Sequence, residues 1–333
     1  MERSSHIKSF LPVLGYILLC AAGLSLYLFG FYEATRDSII LALVFSLLIA
    51  GFIYQSGREG RDLFKVKRIV LTLGIKSLTE FAAVLGAALL TFFLVRNLGM
   101  GAVLASSFVG LLGALALPTL AVPIFCGSFV GMASPAAYES YLCMVIAGSV
   151  VGLVFALGKG VFDGFGGKLG TMAFIGCLAT SLLRGIPLQA SPIPSWDVGL
   201  LILLYAMLGA VFAYALSIRL GKGPVLGSAF VGLAAALLLP PIYGAELGKS
   251  LAVVAFCSSF VGMSSAARLE NEGIVAMAGL ACGLAYMYAS PWLGGAGGKL
   301  GTLALASSIA VSGLVRFYRS VGRRFPATGR NPS

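Results

Sequence analysis

Twelve apolar stretches follow one another along this chain, at about 10–32, 38–55, 78–95, 98–117, 119–136, 140–158, 168–184, 198–218, 223–242, 247–265, 272–290 and 298–315, each closed by Gly, Pro or charge. Only 11% of residues are charged, against about 25% in an ordinary soluble domain. In water such a chain would carry more apolar surface than it could hide. Lipid is the solvent that fits, and a span takes about 20 residues. The sequence predicts an all-α polytopic membrane protein with the lipid bilayer as its surroundings.

The first stretch needs separate treatment, because Arg3 and Lys8 ahead of the run from Phe10 to Tyr32 imitate a signal peptide. The run is long enough to span, no small-residue cleavage site follows it, and Leu19 is too large for the place before a lipoprotein cysteine at Cys20. It reads as a first transmembrane helix.

A net charge of +11 would point a soluble chain toward nucleic acid, but here the basic residues sit in short runs between apolar stretches. With a cytoplasmic N-terminus and twelve crossings, seventeen basic residues fall inside, among them Arg58, Arg61, Lys65, Lys67, Arg68, Lys168, Arg268, Arg319 and Arg330. Five fall outside: Arg36, Arg96, Arg184, Lys249 and Lys299. Cytoplasmic loops concentrate Lys and Arg in this way. The expectation is a bacterial-type cytoplasmic (inner) membrane, both termini cytoplasmic, and no nucleic-acid partner.

Much of the chain is written twice. Phe125-Cys-Gly-Ser-Phe-Val-Gly-Met132 returns as Phe256-Cys-Ser-Ser-Phe-Val-Gly-Met263, and Gly166-Gly-Lys-Leu-Gly-Thr171 returns as Gly297-Gly-Lys-Leu-Gly-Thr302, both 131 positions later. Upstream, 103–110 matches 225–232 at an offset of 122. Similarity held across Cys, Gly and Lys marks an internal repeat. The chain divides into two N-terminal helices and a basic loop (1–68), repeat 1 (69–184), a proline-rich linker (185–197), repeat 2 (198–317) and a basic tail (318–333). Five stretches per repeat is an odd number, so the second copy would enter the membrane from the other side. The plan is 2 + 5 + 5 with inverted-topology repeats, a design of solute transporters and channels.

That plan is similar to the urea-transporter architecture and to other five-plus-five transporters. The residues behind the resemblance are Phe108-Val-Gly-Leu111 followed by Leu117-Pro118; the Asn-containing segments of that family are missing. The resemblance implies a solute path between the halves.

Four segments in the repeats combine small residues with Phe-Val-Gly: Ser106-Ser107-Phe108 to Gly110, Ser128-Phe129 to Gly131, Ser228 to Phe230 and Gly232, and Ser258-Ser259-Phe260 to Gly262. Gly and Ser let a membrane helix break or let helices approach closely. One reading has the serines and glycines facing a solute path constricted by the four phenylalanines; the other has them as small-residue packing. Lys168 and Lys299 sit at the first turn of an apolar helix, where backbone N–H groups already favour anions. They read as vestibule charges or as lysines reaching to the interface. Glu139 and Glu270, matched by the repeat, read as helix-start or vestibule carboxylates. Glu80 pairs with Lys76 one turn earlier, or faces the interior as a buried acid.

The six cysteines lie in apolar stretches without metal-ligand spacing, and the one histidine is His6. Neither Gly-Gly-Lys run fits a phosphate loop, which needs G-x-x-x-x-G-K-[ST]. No enzyme activity, metal or cofactor is expected. The sequence points to a transporter or channel for a small polar or anionic solute or ion, with a homo-oligomer compatible. Two alternatives stand beside it: an assembly or anchor subunit, and a lipid-modifying enzyme built around an acid such as Glu80.

Overall fold

The computed structural model describes residues 2–65 and 74–324; Lys67, Arg68, Arg330 and the end of the basic tail lie outside the described residues. The described chain is all-helical: α1 (Glu2–Asp37), α2 (Ile39–Lys65), α3 (Ile75–Arg96), α4 (Ala102–Ala116), α5 (Ala121–Gly131), α6 (Tyr141–Leu157), α7 (Lys168–Arg184), α8 (Trp196–Tyr214), α9 (Pro224–Tyr243), α10 (Ala245–Ser259), α11 (Glu272–Ala289) and α12 (Lys299–Arg324). One helix answers each apolar stretch. The stops are local chemistry. Ser140, Ser195 and Asn271 cap α6, α8 and α11 by accepting the backbone N–H of Cys143, Asp197 and Ile274. Gly185 closes α7 in the left-handed region.

Among the described residues eight helices are long and apolar enough to cross a membrane: α1, α2, α3 and the five from α8 to α12. Of the about twelve expected spans, eight are therefore met on length and composition. Helices α4 to α7 have 15, 11, 17 and 17 residues. At about 1.5 Å per residue, α5 covers roughly half of a 30 Å hydrocarbon core. Its shortness has a cause: Pro118 ends α4 and opens a single 3-10 turn (Pro118–Leu120), and α5 stops at Gly131. The stretch expected at 247–265 is interrupted too, since α10 ends at Ser259 and a 3-10 turn follows over Val261–Met263.

Equivalent helices of the two repeats pack on each other, α4 on α9 and α7 on α12, while α1 and α2 lie mainly against α11 and α12. The contacts between repeats are reciprocal. Ser134 N–H donates to Gly295 O at 2.9 Å, and its counterpart Ser265 N–H donates to Gly164 O at 2.8 Å. Gly166 lies so close to Phe260 O that a Cβ would sit 1.9 Å away; at Gly297 a Cβ would sit 2.4 Å from Phe129 O. The helices that follow touch at their first turns, where a Cβ on Gly170 would meet Gly301 Cα at 2.6 Å. Glycine is required here because backbone rests on backbone.

Gly166→Ala and Gly297→Ala therefore each lower stability by about 1–3 kcal/mol, the usual range for overpacking. Thermal unfolding in detergent followed by circular dichroism should show a reduced midpoint for both. Gly86→Ala, with open space around the new methyl, should melt like the parent.

Candidate functional site

The four Phe-Val-Gly segments are of two kinds. Those at 106–110 and 228–232 lie within the unbroken helices α4 and α9, while those at 128–131 and 258–262 mark where α5 and α10 end. Ser106, Ser107, Ser128, Ser228, Ser258 and Ser259 are all fully buried. Ser106 and Ser128 share a hydrogen bond of 2.9 Å, and the matching pair Ser228 and Ser259 one of 2.7 Å. Ser128, Ser258 and Ser259 also donate to Phe125 O, Ala255 O and Phe256 O of their own helix. Ser107 Oγ rests against Gly232, where a Cβ would lie 2.3 Å from it, and Gly110 lies against the Phe125 ring. Gly131 and Gly262 press against Ala88 O and Ala210 O of α3 and α8. These small residues bring helices together, and each membrane-buried hydroxyl pair contributes on the order of 0.6 kcal/mol.

The phenylalanines divide as well. Phe108 and Phe230 are 41% and 50% exposed on the outer face, whereas Phe129 and Phe260 are buried at the centre. Their companions there are Phe125 and Phe256, one helical turn earlier on α5 and α10. All six ring pairs of this quartet have centroids 4.4–6.3 Å apart. The spacing i, i+4 was the available signal, since it puts Phe125 beside Phe129 and Phe256 beside Phe260.

Two cavities lie at the Gly-Gly-Lys loops, and the first of them is lined by two rings of the quartet. The first, about 540 Å³, is bounded by Phe129, Phe260, Met132 and the loop Gly294–Lys299. The second, about 390 Å³, is bounded by Met263, Phe165 and the loop from Gly158 to Lys168. Residues of the Gly-Gly-Lys loops thus line equivalent positions in both. Helix α7 starts at the second cavity with Lys168 and runs some 25 Å to the linker that borders the first. That linker is a wall of the site. Gln189 and Gly294 exchange backbone hydrogen bonds of 2.9 and 2.8 Å, which carries Gln189, Ser191, Pro192 and Pro194 over the first cavity. Its proline content marked it only as a connection.

Charge is distributed unequally. Lys168 Nζ lies 2.5 Å from Asp163 Oδ1. Lys299 Nζ donates to two backbone carbonyls, Ser290 O at 3.2 Å and Trp292 O at 2.5 Å. Glu80 is largely buried and pairs with Lys159, which lines the second cavity, in place of the expected Lys76. Glu139 and Glu270 are exposed, just ahead of the caps Ser140 and Asn271, and line neither cavity. Arg96 donates to the Glu139 carbonyl, and Arg319 holds the Glu270 carboxyl below the usual carboxylate range by a hydrogen bond. One cluster had no sequence signal. Glu59 of α2 pairs with Arg268, whose Nε donates to Asp163 O at 2.8 Å and whose guanidinium lies 4.6 Å over the Phe165 ring. It ties the N-terminal helices to both repeats. Among the described residues no group of three or more His, Cys, Asp or Glu gathers where it could hold a metal ion.

Compared with protein-family models, curated proteins and solved structures, the chain returned no match. What the eight long apolar helices establish is a membrane-embedded protein.

The two environments differ in access to water. Cysteine at Ser107 or Ser228 should resist a charged methanethiosulfonate reagent, while cysteine at Ser134 or Ser290 on the first cavity should be modified, read as a mass shift on the purified protein. Equal labelling at all four would contradict the dry crossings.

Proposed function

We propose that the protein passes a small polar or anionic solute across a bacterial-type cytoplasmic membrane, along a path that joins the two cavities through the phenylalanine quartet. The observation behind this reading is the pair of equivalent cavities, each bordered by its own Gly-Gly-Lys loop, the first lined by Phe129 and Phe260 and the second by Gly166, which rests on the Phe260 carbonyl. An anchor subunit has no use for such a pair. The serines, earlier candidates for the lining, serve in this reading as helix-crossing residues that hold the walls together. No chemical step is part of the proposal.

The same geometry supports inverted repeats. Two copies related by an axis along the bundle would carry their equivalent cavities at the same end, whereas α7 runs from the second cavity to the linker over the first. An axis in the membrane plane accounts for this, and for the reciprocal bonds Ser134 to Gly295 and Ser265 to Gly164. The ion pairs support the sidedness read from charge. Lys159 with Glu80, Lys168 with Asp163, Arg268 with Glu59 and Arg319 with Glu270 each take their basic member from the cytoplasmic set, and Arg36 with Glu33 takes its own from the opposite one. In this plan the short helices α4 to α7 fill the membrane depth together with the long helices they pack on.

If the quartet is the barrier, trimming it opens the path. The double variant Phe129→Ala, Phe260→Ala should raise permeability by at least about tenfold, which corresponds to ~1.4 kcal/mol off the barrier. The measurement is stopped-flow light scattering on proteoliposomes challenged with formate, acetate, urea or glycerol. Permeability to all four equal to that of the parent protein, with the variant folded, would sink the proposed path.

A further inference from the structure

The two halves differ at one position that matters for charge. In the second cavity both lysines have a carboxylate: Asp163 on Lys168 and Glu80 on Lys159. The residue equivalent to Asp163 in the second repeat is Gly294. No Asp or Glu lines the first cavity. The acids that α1 brings to Trp292 and Tyr288 are engaged there. Glu33 accepts the Trp292 indole N–H at 3.1 Å and pairs with Arg36, and Asp37 accepts from Tyr288 and Trp196. Lys299 therefore has only carbonyls for company. An ammonium has three donors, and two go to Ser290 O and Trp292 O. One N–H remains, and the amine has no carboxylate to offset its charge when protonated. A half-buried cation in an apolar bundle is costly until an anion joins it.

The surroundings narrow the anion. A volume of about 540 Å³ falls within the range of small-molecule pockets, roughly 300–1,000 Å³, and is far larger than a halide needs. Phe129, Phe260, Met132 and Leu303 supply apolar wall, while Ser134 and Gln189 offer polar groups. One uncompensated lysine matches one negative charge.

We propose that the first cavity binds a small organic monoanion, its carboxylate on Lys299 and its apolar body against Phe129 and Phe260. The second cavity does not, because Asp163 already occupies Lys168. The proposal rests on the path reading of the same cavity and names its solute class.

Isothermal titration calorimetry on the full chain in detergent, with benzoate as probe, tests it. The parent protein should take up one benzoate, and benzyl alcohol, the same size without the charge, should bind at least about tenfold more weakly. Lys299→Met should lose benzoate by a similar factor, whereas Lys168→Met should not. Asp163→Asn, which frees Lys168, should add a second benzoate; this gain does not depend on any variant losing function. Equal affinity of parent and Lys299→Met, equal affinity for benzyl alcohol, or no benzoate uptake by the parent would each overturn the site. Benzoate binding in a protein that moves no solute would retain the site and sink the path. Flux untouched by Lys299→Met would retain the path and sink the site.

Discussion

The structure depends on one contact made twice, in which the Gly-Gly-Lys loop of each repeat lies backbone to backbone on the end of a helix from the other. Gly166 rests on Phe260 O and Gly297 on Phe129 O, flanked by the bonds from Ser265 to Gly164 O and from Ser134 to Gly295 O. In lipid there is little hydrophobic gain from joining apolar helices, so close van der Waals packing and satisfied backbone groups must hold them. A glycine at each docking point allows both at once. Because α5 and α10 stop where they meet the opposite loop, the four rings at their ends are gathered into one cluster.

From that contact the rest follows. Each loop, pinned at its glycines, leaves space on its outer side, and so a cavity forms beside each lysine. The symmetry is then broken by additions that belong to one side only. The linker bonds to Gly294 and walls the first cavity; Glu59 of the N-terminal pair reaches Arg268 beside the second. Asp163 faces Lys168, and Gly294 leaves Lys299 without a carboxylate.

Much of the fold was legible because lipid imposes a simple rule on sequence. Apolar stretches gave the helices one for one, and the caps Ser140 and Asn271 sit where the stretches begin. The helix lengths were less legible. Pro118 and Gly131 shorten α5 through backbone geometry, which a hydropathy window does not sense. The candidate site was read in part. Phe129, Phe260, Lys168 and Lys299 border the cavities, but Phe108 and Phe230 face outward on helices of identical local motif. Ser106 and Ser128, and likewise Ser228 and Ser259, turn their hydroxyls toward each other. A motif records which residue types recur, and it does not record which way a helix is rotated.

The sequence by itself determined that this chain is helical, lives in lipid and carries one unit twice, because hydropathy and repetition are properties of residues in order. Tertiary structure alone decided which copies of the motif end a helix, which rings meet and which lysine is left without a carboxylate. Those outcomes depend on partners more than a hundred residues apart, such as Glu59 with Arg268 or Phe129 with Phe260. Only the packed chain brings their atoms within reach.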